Sequence, residues 1–278
     1  MIICIPGRRN AIAYLFWRWA LAKNGGFVAW LDGFFFGASR GLNNYDLLAV
    51  TYKKSNIKPD KQYSMLPTVL KLVGDCEDRV VLDVGCGDGF FTVPLAGLNA
   101  RRVYGIDNSQ AQLALAAKVS RHPRIEYILK DVFVDNLPSA DVIVIPFVTN
   151  YARTTPILRQ LFRQLYTSLS EGGKVILLVD LPNDTNLKRF GAMKYVPGGS
   201  VDEGVLRITL YNEEEEICTL SAVYYTADTI EKQLREVGFP EVQWHRPIVS
   251  EEGLSLFGEE FWKDYINNPE LGYLTARK

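Results

Sequence analysis

The sequence has 278 residues, of which 47% are hydrophobic and 23% are charged, and its formal net charge is −1. This composition is typical of a folded globular protein and excludes a disordered chain, and the length suits one large domain or one domain with a cap. The overall charge shows no basic excess of the kind that favours nucleic acid. Cys4, Cys76, Cys86 and Cys218 are scattered and only two histidines are present, so neither disulfides nor a metal site are expected, and the predicted location is the reducing cytoplasm.

Residues 1–42 form an apolar extension. Its stretch 11–38 is rich in aromatic residues, but Arg18, Lys23 and Asp32 interrupt it, so no bilayer-spanning helix is predicted. A signal peptide fits poorly because no small-residue cleavage site follows. Three interpretations remain: a helix packed on the core, an interfacial anchor with weak membrane contact, or an extension outside the functional chain, which includes a mis-assigned start codon.

Helices are predicted for residues 43–73, and strands then alternate with helices. Continuous runs of β-branched residues indicate strands buried on both faces, and repeated strand–helix units indicate a parallel sheet with right-handed crossovers. The predicted strands are 79–84, 101–107, 124–131, 140–147 and 174–181, and the predicted helices between them are 91–98, 109–120 and 157–169, the last ended by Glu171, Gly172 and Gly173.

The alternation is interrupted at about residues 183–225, where two antiparallel strands are predicted after an irregular stretch. Those strands are 205–212 and 217–225, on either side of the acidic run 213–216. Helix 227–239 follows, and the segments PEVQWHRPI and LGYLTARK are expected to pair at the end of the sheet. The predicted fold is therefore α/β: a Rossmann-like, doubly wound, seven-stranded sheet, mostly parallel with a C-terminal antiparallel hairpin strand, plus N-terminal helices and a β-hairpin insertion.

Three glycines, Gly85, Gly87 and Gly89, follow the first predicted strand. The pattern G-x-G-x-G is weak evidence alone, but here it follows a strand, opens a helix and is followed by Asp107 at the end of the next strand. A carboxylate at that position accepts hydrogen bonds from the hydroxyls of a ribose. The pattern therefore indicates a ligand that contains a nucleoside.

Asp83 and Asp88 place negative charge around this turn. Two unit charges about 4 Å apart interact by roughly 1 kcal/mol in water and about 4 kcal/mol at an effective dielectric constant of 20. This interaction repels a pyrophosphate and attracts the ammonium and sulfonium groups of S-adenosylmethionine. Asp131, after the third strand, can accept a hydrogen bond from an adenine amino group, with Val132 against the ring.

The run V-L-D-V-G-C-G-D-G-F, with G-I-D-N-S, K-D-V-F and L-S-E-G-G-K-V-I-L-L, resembles class I S-adenosylmethionine-dependent methyltransferases over about residues 43–278. The segments Y-D-L-L-A-V-T-Y, F-V-T-N-Y-A-R and G-E-E-F-W-K-D-Y resemble the small-molecule methyltransferases of the toxoflavin-biosynthesis type. The resemblance assigns no role to residues 1–40. It implies that the cofactor contacts Asp83, Gly85, Gly87, Gly89, Asp107, Asn108, Asp131, Val132 and Phe147, with Tyr45 and Tyr52 on an N-terminal lid helix.

Methyl transfer from a sulfonium is an in-line displacement, so the protein mainly has to align the donor with the acceptor. The candidates for orienting the acceptor or acting as a base are Asn150 and Tyr151, which follow the fourth strand, and His245 near the last helix–strand junction. Four aromatic residues are candidates for the wall of an acceptor pocket: Tyr195, Tyr211, Tyr224 and Trp244.

The expected function is N- or O-methylation of a small-molecule metabolite by a methyltransferase domain at 43–278, with the insertion 183–225 as a substrate cap. Nucleic acid is not expected as a partner, because no D/N-P-P-Y/F motif follows the fourth strand and the acidic run would repel phosphates. Two alternatives remain: a non-catalytic, S-adenosylmethionine-binding regulatory or scaffold protein, and a nucleotide-dependent oxidoreductase. The sequence leaves the acceptor and the oligomeric state open.

Overall fold

The computed structural model describes residues 58–183, 185–212 and 215–278, so the expectations for residues 1–42, Tyr45 and Tyr52 lie outside the described residues. A π-helical turn, Lys61–Met65, leads directly into helix α1, Leu66–Val73. This agrees with the prediction of helix ahead of the first strand. Among the helices of the described residues, none has the length and hydropathy needed to cross a bilayer.

Seven strands form one sheet, which confirms the predicted fold class. They are β1 Val80–Val84, β2 Arg102–Asp107, β3 Ile125–Leu129, β4 Ala140–Pro146, β5 Leu169–Asp180, β9 Glu241–His245 and β10 Leu271–Arg277. Their order is β3-β2-β1-β4-β5-β10-β9. The strands β1 to β5 run parallel, and β10 is antiparallel to both of its neighbours.

Helices cover both faces of this sheet because each presents an apolar stripe. In α4, Thr155–Ser168, the apolar residues Leu158, Leu161, Phe162 and Leu165 follow helical spacing and are almost fully buried. Each such burial stabilises the fold by roughly 1.5–3 kcal/mol. The other helices flanking the sheet in the described residues are α1, α2 Thr92–Ala96, α3 Gln110–Val119 and α5 Ala227–Val237.

Strand β5 begins five residues earlier than the sequence predicts. Ala140 of β4 pairs with Leu169, but Val142 pairs with Lys174, so residues 170–173 form a bulge. Gly172 has a φ of +71°, which a glycine adopts without steric cost. The glycines therefore form a bulge at the start of a longer strand rather than a separate turn.

The predicted insertion is a separate antiparallel sheet of three strands in the order β6-β7-β8: β6 Ala192–Tyr195, β7 Gly204–Asn212 and β8 Glu215–Tyr224. The first strand was not predicted, because it is only four residues long and stands directly before a Pro-Gly-Gly turn. We call this three-stranded sheet the cap.

The turn before β7 fixes the cap to two helices of the main domain. The carboxylate of Asp202 accepts hydrogen bonds from the Thr226 N–H (2.7 Å) and the Thr229 hydroxyl (2.6 Å) at the start of α5. The carboxylate of Glu203 accepts from the N–H and the hydroxyl of Thr155, the first residue of α4. Both contacts use the partial positive charge and the free N–H groups of a helix start.

Helices α6, Glu251–Phe257, and α7, Glu259–Asn267, lie between β9 and β10, so these strands pair without forming a tight hairpin. The helices bury a compact aromatic cluster against the short helical turn Lys188–Phe190. Its rings, whose neighbouring centroids lie 4.8–6.0 Å apart, are Phe190, Phe257, Phe261, Trp262 and Tyr265.

Candidate functional site

The order in which the strands are added to the sheet reverses between β1 and β4. Several predicted site residues lie at this switch point. Strands β2 and β3 extend to one side of β1, and β4 and β5 extend to the other. In the register of the sheet, Asp83 of β1 lies beside Gly105 of β2 and Val144 of β4. A crevice outside the carboxyl ends of the strands at such a point is where open α/β sheets bind ligands.

Residues 85–89, the glycine turn, have a backbone that requires glycine. The φ angles of Gly85, Gly87 and Gly89 are +74°, +54° and +87°. A Cβ on Gly89 would lie 2.6 Å from the Tyr127 hydroxyl, whereas a Cβ on Gly87 would meet nothing closer than the Gln112 side-chain oxygen at 3.8 Å. Gly89 therefore serves packing, and Gly87 keeps a surface open to a ligand.

Asp107 holds the glycine turn in place. Its carboxylate accepts a hydrogen bond from the Gly87 N–H (2.9 Å) and another from the Ser109 N–H (2.8 Å). Ser109 in turn caps α3, since its hydroxyl oxygen accepts from the Gln112 N–H. Asn108 is exposed between them. The residue expected to bind a ribose is thus oriented by the turn that it faces.

Asp83 is fully buried, and only one of its two carboxylate oxygens has a hydrogen-bond partner in the described structure. The Thr92 hydroxyl donates to its Oδ2 at 2.6 Å, while Oδ1 has no hydrogen-bond partner in the described structure. Burial, with the nearby carboxylates of Asp107 and Asp88, raises the pKa of Asp83 to about 7. The Gln112 Oε1, which lies near Gly87, is a second buried acceptor without a partner. Two such acceptors fit a ligand that brings N–H groups and positive charge.

Asp131, Val132 and Phe147 lie beyond the ends of β3 and β4. The Oδ1 of Asp131 accepts from the Phe133 N–H (2.9 Å), and Val132 is buried in the main core. Phe147 has a φ of +62°, which is rare for an aromatic residue, and its N–H donates to the Leu178 carbonyl at 2.7 Å. Such backbone strain is concentrated at functional sites, and here it sets the direction of the chain as it leaves β4.

Asn150 belongs to a buried polar chain that sequence reasoning missed. Its Nδ2 donates to Asp180 Oδ2 at 2.7 Å, and the Asp180 Oδ1 forms an ion pair with Lys194 of the cap at 2.8 Å. The side chains of Asp180 and Lys194 are only 2% and 8% exposed. The Thr149 hydroxyl donates to the Asn150 Oδ1, so the amide is held on both sides.

Two further carboxyls surround this chain. Burial raises the pKa of Glu270 to about 7 and that of Asp60 to about 6, and Lys194 partly offsets both effects. Glu270 Oε1 and Asp60 Oδ1 are buried without a hydrogen-bond partner in the described structure. Burial opposes the charge of Lys194, but Asp180 and Glu270 keep its pKa above the ordinary value. One ammonium thus faces three carboxyls where β4 and β5 end.

His245 lies apart from these groups. It is in β9, which is separated from β4 by β5 and β10, and its Nε2 is 2.8 Å from the Thr275 hydroxyl. Burial lowers the pKa of His245. Tyr151, in contrast, is half-buried directly beside Asn150 in the helical turn Val148–Tyr151. The structure therefore brings Asn150 and Tyr151 together and leaves His245 three strands away.

The four aromatic candidates for an acceptor pocket are also dispersed. Tyr195 is 57% exposed, Tyr224 is buried inside the cap, and Trp244 donates to Glu231 of α5. Tyr211 lies under the ammonium of Lys188, 4.6 Å from its ring centroid. In the described residues, no cluster of histidine, cysteine and carboxylate side chains could hold a metal ion.

Comparisons with known proteins match part of this chain. Residues 81–173 match a family model described as a methyltransferase domain. Two curated relatives are both named tRNA U34 carboxymethyltransferase. The one from Pseudoalteromonas atlantica is 36% identical over 36% of this chain and 32% of its own length, and the one from Shewanella amazonensis is 34% identical over 43% and 38%. The chain thus spans about a third of the length of the curated relatives it matches.

A solved structure confirms the fold. The S-adenosylmethionine-dependent methyltransferase from Mesorhizobium loti superimposes with a TM-score of 0.57 and 16% identity over 81% of this chain and 100% of its own. The family match confirms the expectation of a methyltransferase domain and, with it, of S-adenosylmethionine as the cofactor.

Two expectations are wrong. The relatives' names point to transfer RNA, which contradicts methylation of a small-molecule metabolite and contradicts the exclusion of nucleic acid. The narrower resemblance to the toxoflavin-biosynthesis type finds no support among these matches. An overall charge and one acidic run do not describe the whole surface, because cations can still be concentrated on one part of it.

Proposed function

We propose that this chain is an S-adenosylmethionine-dependent transferase that modifies a nucleoside of a transfer RNA. The observation that carries the proposal is a methyltransferase-domain match over the glycine turn and the switch point, together with curated relatives that act on tRNA U34 by name. Since those relatives are matched over only about a third of their length, the substrate and the transferred group are inferences about this chain.

The residues at the switch point suit the cofactor. The open face of Gly87 admits close approach of a ligand, and the orphaned Oδ1 of Asp83 suits the ammonium of the methionyl end. Asp107 is aligned for the ribose hydroxyls, and Asp131 and Val132 are assigned to the adenine. When bound, S-adenosylmethionine supplies an activated group on a positively charged sulfur.

On the acceptor side, Asn150 and Tyr151 are assigned to orient the base. The Asn150 amide is fixed by Asp180 and Thr149, so its position costs no further ordering when an acceptor arrives. A carboxamide is neither protonated nor deprotonated near neutral pH, which makes Asn150 a positioning group rather than a general base. Lys194 connects this position to the cap.

The test is transfer of label from S-adenosylmethionine to unmodified transfer RNA, followed by digestion to nucleosides and mass spectrometry. We expect label in a uridine-derived nucleoside, with the mass increase of one methyl group, which is the group that S-adenosylmethionine can transfer. Asp107→Ala should abolish the transfer, and Glu252→Gln, on the exposed face of α6, should leave it unchanged. Label found only in the small-molecule fraction of a cell extract would refute the proposal.

A further inference from the structure

Six cations lie where the first three strands begin, at the edge of the sheet opposite the glycine turn. We call this set the basic rim; it comprises Arg79, Arg101, Arg102, Lys118, Arg121 and Arg124, and all six are exposed. The backbone joins them: the N–H groups of Arg101 and Arg102 both donate to the Arg79 carbonyl, at 2.9 and 3.4 Å, and the Val103 N–H donates to the Arg124 carbonyl at 2.8 Å. The rim is therefore a continuous surface on rigid elements.

No cation of the rim forms an ion pair with a carboxylate of the described residues. Two guanidinium groups are instead positioned by main-chain carbonyls: Arg121 Nε donates to Ala117 at 2.6 Å, and Arg124 Nη1 donates to Ala100 at 3.3 Å. Both arginine side chains remain exposed beyond these contacts. Several exposed cations on the other side of the domain differ, since Arg159, Arg235 and Lys263 each pair with a glutamate.

The positive charge of the rim that is not balanced by carboxylates is concentrated on the side of β2, β3 and α3. The carboxylates of Asp75, Glu77 and Asp78 precede Arg79 in the turn before β1 and partly balance that end of the rim. Glu126 is the exposed carboxylate within β3. A net positive strip on a chain whose formal charge is −1 marks a local binding surface rather than a general property of the protein.

The spacing suits a nucleic-acid backbone. Neighbouring strands lie about 4.8 Å apart, so the cations at their starts are close enough together for one phosphate backbone to contact several of them. Strand β2 separates Arg102 from Asp107 by five residues, or roughly 17 Å along the strand. A folded RNA spans this distance easily, so one molecule can contact the rim and present a base at the switch point.

An open groove of about 420 Å³ lies within the rim, between the end of α3 and β3. It is lined by Ala117, Arg121, His122, Pro123, Ile125 and Tyr127. A concave, mostly apolar floor with a guanidinium at its border suits the sugar and phosphate of a nucleotide better than a flat lipid surface.

We infer that the basic rim binds the phosphate backbone of the RNA acceptor, an inference that rests on the proposed function. The surface near the glycine turn then selects and orients the base, while the rim supplies most of the electrostatic affinity. Loss of rim charge should weaken RNA binding and reduce its salt dependence, without changing affinity for the cofactor product.

The experiment compares full-length proteins in titrations with unmodified transfer RNA at several salt concentrations. The rim variant carries Arg102→Gln, Lys118→Gln and Arg121→Gln, and the control carries Arg163→Gln, Lys232→Gln and Lys263→Gln, which removes the same charge from other exposed positions. The rim variant should bind at least tenfold more weakly, with a slope of log Kd against log salt that is lower by about 2. A second variant with Arg102→Lys and Arg121→Lys keeps the charge and should bind like the parent.

Each other outcome is decisive. If the rim variant and the control bind RNA equally, the rim inference is wrong while RNA modification by the parent still stands. If the parent neither binds nor modifies RNA although it binds S-adenosylhomocysteine, the proposed function and the rim inference both fail. Rim-dependent binding to vesicles of phosphatidylserine, without RNA binding, would also overturn the inference. Unchanged affinity of all variants for S-adenosylhomocysteine verifies that each is folded.

Discussion

Asp83 is the residue for which we propose the most direct contact with the cofactor. It is buried, its Oδ1 has no partner in the described structure, and its pKa is raised to about 7. A ligand ammonium favours the ionised form, so binding should release a proton when the pH is below that value. Affinity for S-adenosylhomocysteine should therefore rise with pH, by up to about tenfold per unit, and level off above about pH 7.

Isothermal titration calorimetry in buffers of different ionisation enthalpy measures this proton release directly. Asp83→Asn should bind more weakly and lose the pH dependence, whereas Asp131→Asn should bind more weakly but keep it. A parent protein whose affinity is the same on both sides of pH 7 would remove Asp83 from the ammonium site.

For Glu270 we predict an effect on stability rather than on binding. Its pKa is raised by burial from 4.5 to about 7, so the folded state holds a proton that the unfolded state has already lost between these values. The free energy of unfolding should therefore decrease as the pH rises from about 4.5 to 7, and the penalty persists above that range. Glu270→Gln should remove this part of the slope and gain at most about 3 kcal/mol at pH 8.

Urea unfolding at a series of pH values provides the measurement. Glu252→Gln, at an exposed position of α6, is the control and should retain the slope of the parent. If Glu270→Gln shows the same slope as this control, the carboxyl of Glu270 is ionised in the fold without cost, and Lys194 compensates it fully.

The distinction between these two residues explains what sequence could reveal of the site. Asp83 and Asp107 are at the ends of consecutive strands around a glycine turn, so local pattern alone places them together. Glu270 and Lys194 come from positions far along the chain and meet Asp180 only in the folded sheet. Lys194 had no signal, since it stands in a short strand that no periodicity indicated.

At the scale of an element, two glycines of the glycine turn have different roles: Gly89 is needed for packing and Gly87 for ligand access. Gly89→Ala should lower the free energy of unfolding by about 1–3 kcal/mol, since its Cβ would lie 2.6 Å from the Tyr127 hydroxyl and 2.7 Å from the Ser120 Cβ, at a φ of +87°. Gly87→Ala should cost only about 1 kcal/mol, because the space is open and the φ of +54° is the one that alanine tolerates best.

Cofactor binding should show the opposite order: relative to its loss of stability, Gly87→Ala should lose more affinity than Gly89→Ala. Gly87→Ala should weaken S-adenosylhomocysteine binding more than tenfold, because the added methyl group stands on the open face of the turn. Thermal unfolding and calorimetry on the two variants test both statements. Normal cofactor affinity in Gly87→Ala would mean that the ligand does not approach this face.

Besides the hydrogen bonds of Asp202 and Glu203, one buried ion pair, between Lys194 and Asp180, attaches the cap to the main sheet. Lys194→Met leaves the carboxylate of Asp180 buried without its partner, which should cost about 3–5 kcal/mol. Adding Asp180→Asn removes the unpaired charge, so the double variant should be more stable than the sum of the two single changes predicts. Urea unfolding measures the three values, and Lys232→Met on the exposed face of α5 is the control. Additive effects would show that the pair is not coupled.

Elements were predictable from sequence where burial repeats with a regular period. The alternating strands and helices from β1 to β5 belong to this class, because each strand is buried on both faces and each helix has one apolar stripe. The start of β5 and the existence of β6 were not predictable. The first depends on a bulge whose register is set by β4, and the second depends on pairing with β7.

At the scale of the whole molecule, the domain division remains a proposal. A chain that starts at residue 43 retains every described site residue, as well as Tyr45 and Tyr52, so we expect it to bind S-adenosylhomocysteine like the full chain. Calorimetry on both chains tests this, and co-sedimentation with vesicles tests the interfacial anchor, which predicts that only the full chain sediments. Loss of cofactor binding in the shorter chain would make residues 1–42 part of the site.

The distribution of charge over the molecule explains the failed prediction about nucleic acid. A sum of −1 is the same for an evenly mixed surface and for one with an acidic side and a basic side. The arginines at 79, 102 and 124 are far apart in sequence, and only the parallel pairing of β1, β2 and β3 brings them into a staggered row at one edge of the sheet. A charge count could not reveal that row, whereas the topology does.

The order of the strands also determines how this chain can mature on the ribosome. Strand β10 is inserted between β5 and β9, although it is synthesised after both. Until residues 271–277 emerge, β5 has an unpaired hydrogen-bonding edge and β9 has no neighbour in the sheet, which is the condition under which nascent chains associate with one another. A polypeptide arrested before Leu271 would consequently leave β5 and β9 unjoined and would be a client for chaperones.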